Sequence, residues 1–161
     1  MGKPFLKEFE GSGGGSRLIE ALMSQSIVRD KDLAVRIARC LKLEEIPAGS
    51  VLIEQGASDT DLFLVLSGKF SVVVHGREVA RKKAGEHIGE MAMVDPRTPR
   101  SASVIATTDS VVARIAERDF SALADRFPRL WRRIALELAC RLRNESAADG
   151  DRKQVREAAE H

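Results

Sequence analysis

The sequence predicts an α+β fold in which helices stand at both ends of the chain and a β-barrel or sandwich lies between them. Apolar residues first recur at helical spacing, alternate at the strand period from Val51 onward, and return to helical spacing after residue 118. Glycine-containing turns separate the short β-type segments at close intervals. With 161 residues, the chain is long enough for one domain with a substantial core but short for two.

The N-terminal third is predicted to be helical. Residues 1–16 are interpreted as an arm that ends in a flexible Gly/Ser-rich loop, GSGGGS, at residues 11–16. A helix is predicted over residues 17–26, and Asp30 is the expected N-cap of a second helix. The residues that recur at helical spacing in these two segments are Leu18, Ile19, Leu22 and Met23, then Leu33, Ile37, Cys40 and Leu41. Pro47-Ala48-Gly49 is expected to end this all-helical opening.

Short strands are predicted in the middle of the chain. Val51 and Ile53 are expected to point the same way in one strand, and residues 62–66 form a fully apolar strand. Turns are predicted at Ser67-Gly68 and His75-Gly76. The strand between these turns has Phe70, Val72 and Val74 on one face, and further strands are predicted at Ser103–Thr107 and Val111–Ile115.

A short helix over Asp119–Phe127 and a longer one from Pro128 to about Ser146 are predicted next. The apolar stripe of the longer helix consists of Leu130, Ile134, Leu138 and Leu142, with Trp131 and Ala135 beside it. Residues 147–161 are charged and are interpreted as a frayed helix end or a linker.

Composition excludes several classes of function. The 26 basic and 24 acidic residues leave a net charge of +2, which disfavours binding of a nucleic-acid polymer. No apolar run reaches the roughly 18–20 residues of a membrane span, and a signal peptide is absent, so the protein is expected in the cytoplasm. Cys40 and Cys140 are expected to be reduced, buried thiols. The histidines do not cluster with cysteines, so neither a metal site nor a cupin-like metal enzyme is expected.

Residues 87–104, HIGEMAMVDPRTPRSASV, contain the chemically most informative pattern. Gly89 permits close approach of a ligand to the backbone, and a helical turn beginning there would direct amide groups at an anion. Arg100 offers a planar fork that suits phosphate oxygens, while Glu90 suits a hydroxyl such as a ribose 2′-OH. A sugar phosphate would satisfy both residues. The alternative interpretation is a surface loop with a Glu–Arg ion pair.

The segments Gly89-Glu90-Met91-Ala92 and Pro99-Arg100-Ser101-Ala102 resemble, in order and spacing, the phosphate-binding cassette of the cyclic nucleotide-binding domain family. Gly56, Asp61, Phe63 and Gly68 also resemble the family's strand-turn signature. The resemblance implies a jelly-roll-like β-roll at residues 17–146 with a C-terminal lid helix. It implies a ligand-binding site made of Ile88, Gly89, Glu90, Met91, Ala92, Pro99, Arg100, Ser101 and Ala102.

The same resemblance implies a role for each residue of the cassette. Arg100 would bind the exocyclic phosphate oxygens, Glu90 would accept from the ribose 2′-OH, and backbone amides would cap the phosphate. Ser101 would contact the phosphate or the base. Ile88 departs from the family, in which an aromatic residue often precedes the Gly-Glu pair. His87 is expected to be an exposed strand residue, and Arg97 a solvated loop residue with an alternative role in attracting phosphate.

Among members of the family, the chain most resembles the N-terminal sensors of bacterial two-domain proteins that carry a TIR-type domain and act as Pycsar anti-phage effectors. That resemblance implies a non-enzymatic sensor of cyclic UMP or cyclic CMP, with an NAD-degrading domain outside this chain and no cofactor besides the signalling ligand. Alternatives are a cAMP- or cGMP-binding regulatory module and a scaffold with a degenerate pocket. Trp131 and Leu138 would serve a homo-oligomer as well as they would serve the barrel.

Overall fold

The computed structural model of the chain describes residues 6–159, apart from the side chains of residues 12 and 14. Helices stand at both ends of an antiparallel β-region, which confirms the predicted α+β fold. A 3₁₀ turn at Leu6–Glu8 precedes the helices α1 (Gly11–Met23), α2 (Lys31–Ala38), α3 (Met91–Val94), α4 (Glu117–Arg126) and α5 (Arg129–Ala159). The strands are β1 (Leu41–Ile46), β2 (Val51–Ile53), β3 (Leu62–Ser67), β4 (Lys69–Val74), β5 (Arg77–Lys83), β6 (His87–Ile88), β7 (Ser103–Ala106) and β8 (Ser110–Ile115).

The strands form two four-stranded sheets, ordered β1-β8-β3-β6 and β2-β7-β4-β5. Strand β3 shows why its sequence is apolar throughout, because successive side chains of a strand point to opposite faces of the sheet. Leu62, Leu64 and Leu66 pack against the helices, while Phe63 and Val65 pack in the core between the sheets. Both faces of β3 are therefore buried, and this strand joins the two cores.

Glycine is required where the chain passes from one sheet to the other. Gly68 lies between β3 and β4 with φ +91°, and a Cβ atom there would collide with Ser110. The predicted turn at Ser67-Gly68 is therefore a bend between two sheets rather than a hairpin within one. His75 and Gly76, with φ values of 48° and 76°, do form the tight hairpin predicted between β4 and β5.

The sequence-based boundaries at the N-terminus are corrected by the structure. The predicted flexible GSGGGS loop lies in helix α1, which runs from Gly11 to Met23 rather than over residues 17–26. Glycine disfavours helix by roughly 1 kcal/mol relative to alanine. However, Phe9 is buried in the same core that Leu18 and Leu22 contact, so this segment connects two packed parts of the chain. Residues 1–5 of the arm predicted at residues 1–16 lie outside the described residues.

Strand β1 replaces the predicted end of the second helix. Helix α2 is capped by Asp30, whose Oδ1 accepts from the Leu33 amide at 2.9 Å, but the helix ends at Ala38. Leu41 begins a strand that pairs along its whole length with β8. Leu41 and Leu43 of this edge strand pack against the core shared with the helices, and the pairing with β8 outweighs the helical spacing of Leu41. In β2, a register shift separates Val51 from Ile53, so Val51 is exposed while Ile53 is buried.

Helix α5 extends further than predicted. Leu130 and Ile134 are buried, and Trp131 and Leu138 pack against the protein's own core. The charged segment from residue 147 continues the helix to Ala159, and residues 160–161 lie outside the described part of the chain. The prediction of two buried thiols is wrong, because Cys140 is exposed where α5 leaves the body and Cys40 is only partly buried.

Candidate functional site

One cavity of about 390 Å³ brings the predicted site residues together. It opens between the inner face of β4 and β5, the segment from β6 to β7, and helix α5. Every residue predicted for the site lines it: Ile88, Gly89, Glu90, Met91, Ala92, Pro99, Arg100, Ser101 and Ala102. The structure thus supplies a common location for these residues, while their role in binding a ligand remains a prediction.

Gly89 allows the backbone and Arg100 to approach each other closely. Its φ is +92°, and a Cβ atom at this position would lie 2.7 Å from Arg100 Nη1 and 2.9 Å from the Asp61 carbonyl oxygen. Any other residue at position 89 would therefore be strained and would displace the guanidinium. Helix α3 begins directly after Glu90, so the first turn of this helix lies against the same cavity.

Arg100 is buried, with 6% of its surface exposed, and its guanidinium is held from one side. Nη2 donates to Asp59 Oδ2 at 2.8 Å and to the Asp61 carbonyl at 2.7 Å, and Nε donates to Asp59 Oδ2 at 3.2 Å. Nη1 makes one longer hydrogen bond, at 3.4 Å, to the Gly89 carbonyl. The Nε edge is thus occupied by the protein, and Nη1 keeps the most capacity to donate to an anion in the cavity.

Glu90 is a buried carboxylate, 4% exposed, whose ionic partner comes from α5. Arg141 Nη2 donates to Glu90 Oε1. Burial by itself raises the pKa of the Glu90 carboxyl, but His87 and Arg141 outweigh that effect and hold the pKa below its ordinary value. Glu90 and Arg100 do not pair with each other, so the surface ion pair considered as an alternative is wrong.

His87 lies beneath α5 and is 3% exposed, so the prediction of an exposed strand residue is wrong. Its Nε2 is 3.0 Å from Glu137 Oε2, although neither ring nitrogen makes a well-aligned hydrogen bond within residues 6–159. Burial lowers the pKa of His87. Glu90 and Glu137 oppose this effect, while Lys82 and Arg141 reinforce it. The pKa of His87 therefore lies below its ordinary value, and burial is the main cause.

Several residues of the site could not be recognised from the sequence. Asp59 lies 41 positions from Arg100, and Arg141 lies 51 positions from Glu90, so only the tertiary fold brings each pair together. Val72 and Val74, which the sequence predicts on one face of β4, both line the cavity. Lys82 of β5 and Glu145 of α5 complete the charged part of the lining. Arg97 is exposed, as expected of a solvated loop residue.

The described part of the chain contains neither a cluster of metal ligands nor a membrane-spanning helix. Among the described residues, His, Cys, Asp and Glu side chains do not gather in groups of three or more that could hold a metal ion. Over residues 6–159, no helix combines the length and apolar character needed to cross a bilayer.

Comparison with known proteins identifies the family. The profile of the cyclic nucleotide-binding domain matches residues 43–127, just over half of the chain. This chain belongs to the cyclic nucleotide-binding domain family. It matches a regulatory domain, and the cassette resemblance and jelly-roll-like fold inferred from the sequence agree with that assignment.

Three relatives place the chain within the family. It is 41% identical over 138 residues to the Pycsar effector protein PaPycTIR of Pseudomonas aeruginosa, covering 85% of this chain and 45% of that protein. It is 34% identical over 104 residues to a cAMP-dependent protein kinase regulatory subunit of Aspergillus niger, covering 63% of this chain and 25% of that protein. The crystal structure of Thermus thermophilus catabolite activator protein superposes with a TM-score of 0.67 at 29% identity, over 73% of this chain and 57% of that one. The chain spans less than half the length of PaPycTIR and of the kinase regulatory subunit.

Proposed function

We propose that this chain is a sensor domain that binds a 3′,5′-cyclic pyrimidine nucleotide, cyclic UMP or cyclic CMP, and relays binding to a TIR effector domain outside the chain. The observation that carries the proposal is the cavity that buried Arg100 and buried Glu90 line together with Gly89. A cation for a phosphate and a carboxylate for a hydroxyl fit the two polar parts of a cyclic ribonucleotide. The pyrimidine preference is supported by the 41% identity to Pycsar effectors.

The contacts support a proposed role for each part of the site. Arg100 Nη1 binds an exocyclic phosphate oxygen, while Asp59 and the Asp61 carbonyl fix the other edge of the guanidinium. Glu90 accepts from the ribose 2′-OH, and Val72 and Val74 form an apolar wall for the base. The net charge of the chain does not oppose this ligand, because one phosphate needs only a local cation and nearby amides.

Relay to an effector domain is supported by the shape of α5. This helix lines the cavity through Arg141 and Glu145 and continues to Ala159. The match covers 45% of PaPycTIR, so that relative has further chain beyond this domain. A ligand that binds better when α5 is closed on the site than when it is open shifts the helix toward the closed position.

Arg100→Ala tests the phosphate site. The variant should lose roughly 2–5 kcal/mol of affinity for cyclic UMP, about 30-fold or more, in calorimetric titrations of the 161-residue chain. Arg97→Ala is the matched control, since it removes an exposed arginine of the same segment and should leave the affinity unchanged. Unchanged affinity in Arg100→Ala would contradict the proposal.

A cAMP- or cGMP-binding regulatory module is the second candidate, and the similarity to the Aspergillus niger kinase regulatory subunit favours it. The two candidates share the phosphate and ribose contacts and differ only in the base. Tighter binding of cAMP than of cyclic UMP would favour this candidate over the Pycsar sensor.

A further inference from the structure

Arg141 joins helix α5 to Glu90, the residue proposed to bind the ribose. Its side chain is 43% exposed and lines the cavity, and within residues 6–159 the Glu90 carboxylate is its only hydrogen-bonding partner. A guanidinium has five N–H donors and no acceptor. Most of its donor capacity is therefore available to whatever occupies the cavity.

The position of Arg141 relative to a nucleotide follows from the role of Glu90 in the proposed function, on which this inference rests. If Glu90 accepts from the 2′-OH, the guanidinium bonded to Glu90 lies beside C2′ of the ribose. The base is attached to the neighbouring C1′. Arg141 therefore faces the atoms that flank the glycosidic bond and not the far edge of the base.

Pyrimidines and purines differ at those atoms. Uracil and cytosine both carry the exocyclic carbonyl oxygen O2 next to the glycosidic nitrogen, and this oxygen projects from the ring as a hydrogen-bond acceptor. A purine presents either C8–H, which accepts nothing, or N3, which is a ring atom and does not project. A donor fixed at this place distinguishes the two classes of base without contacting the groups that differ between uracil and cytosine.

We propose that Arg141 is the specificity-determining residue of the site, and that it selects pyrimidine cyclic nucleotides by donating to O2 while it remains bonded to Glu90. Both cyclic UMP and cyclic CMP satisfy this contact. A purine nucleotide leaves the guanidinium donors facing a C–H group or a recessed nitrogen, and an unpaired polar group in a closed site costs affinity.

The test compares four nucleotides, cyclic UMP, cyclic CMP, cAMP and cGMP, on the wild-type chain and on Arg141→Gln by calorimetry. We expect Arg141→Gln to weaken both pyrimidine nucleotides about 10-fold or more, as loss of a charge-assisted hydrogen bond does, and both purine nucleotides less than about threefold. Arg141→Lys keeps the charge without the fork and should give an intermediate loss of the pyrimidine preference. Arg143→Gln is the matched control, because Arg143 is exposed on a different face of α5. This variant should bind all four nucleotides with the affinities of the wild type.

The ratio of the affinity for pyrimidine nucleotides to that for purine nucleotides, compared between wild type and variant, separates this inference from the proposed function. If Arg141→Gln weakens all four nucleotides by the same factor, Arg141 only supports Glu90, and the specificity role is overturned while the sensor function stands. If the wild-type chain itself prefers cAMP or cGMP, the proposed function fails. Thermal melting of each variant verifies folding. If Arg141→Gln does not fold, Arg141→Lys provides the same comparison between pyrimidine and purine affinities.

Discussion

The two halves of helix α5 are held by different forces. In the first half, Leu130 and Ile134 are buried, and Arg133 Nη1 donates to the Ile27 carbonyl at 2.9 Å and also to that of Val28. From Cys140 to Ala159 every residue is exposed, and Leu142, the last member of the predicted apolar stripe, is 65% exposed. At about 1.5 Å per residue, this second half extends roughly 30 Å. It meets the cassette through the ion pair of Arg141 with Glu90.

This difference indicates which part of the helix responds to a ligand. Apolar burial holds the first half, because Leu130 and Ile134 belong to the hydrophobic core shared with the N-terminal helices. The second half contacts the site through the ion pair between Arg141 and Glu90. A nucleotide that contacts both residues would therefore change the electrostatic interaction that holds this half. We therefore expect the second half of α5, rather than the first, to change position when a ligand binds.

Ile134→Ala should have the largest effect on stability. Truncating this fully buried side chain should lower the free energy of unfolding by about 2–5 kcal/mol in urea denaturation. Leu142→Ala is the matched control on the second half and should change it by less than about 0.5 kcal/mol. Equal losses in the two variants would mean that the halves are not held differently.

The pH dependence should be a smaller effect. The pKa values of His87 and Glu90 both lie below their ordinary values in the folded protein, so their contributions to stability are present at neutral pH and are lost as the pH falls. The contribution of His87 begins to be lost below its ordinary pKa of about 6.5, and that of Glu90 only below its ordinary pKa of about 4.5. The melting temperature should therefore fall between pH 7 and pH 5, and His87→Gln should flatten this part of the profile. A melting temperature that rises over this range would show that protonated His87 instead strengthens the contact with Glu137.

The sequence predicted the local chemistry of the site better than its long-range partners. Gly89, Glu90 and Arg100 could be recognised because their spacing is short and their residue types suit one ligand. The Asp59–Arg100 and Glu90–Arg141 pairs connect residues 41 and 51 positions apart, and neither pair follows from any periodicity. Strand β1 was missed for a related reason. Its conformation depends on pairing with β8, which begins at Ser110, more than on its own short sequence.

The N-terminus and the two cysteines show how packing overrides composition. A Gly/Ser-rich run has no helical preference of its own, yet residues 11–16 are helical between core-packed Phe9 and Leu18. Cys140 has apolar neighbours in sequence, but it is exposed because the helix that carries it projects beyond the body. Local composition could not indicate where that body ends.

Hydrogen–deuterium exchange of the chain with saturating cyclic UMP or cAMP tests the central claim most directly. Cyclic UMP should slow exchange in the cassette, residues 88–102, and in the second half of α5 from Cys140 onward, with little change over residues 129–138. cAMP at the same concentration should have a much weaker effect on both segments. Stronger protection by cAMP, or protection by cyclic UMP that leaves the second half of α5 unchanged, would contradict the account.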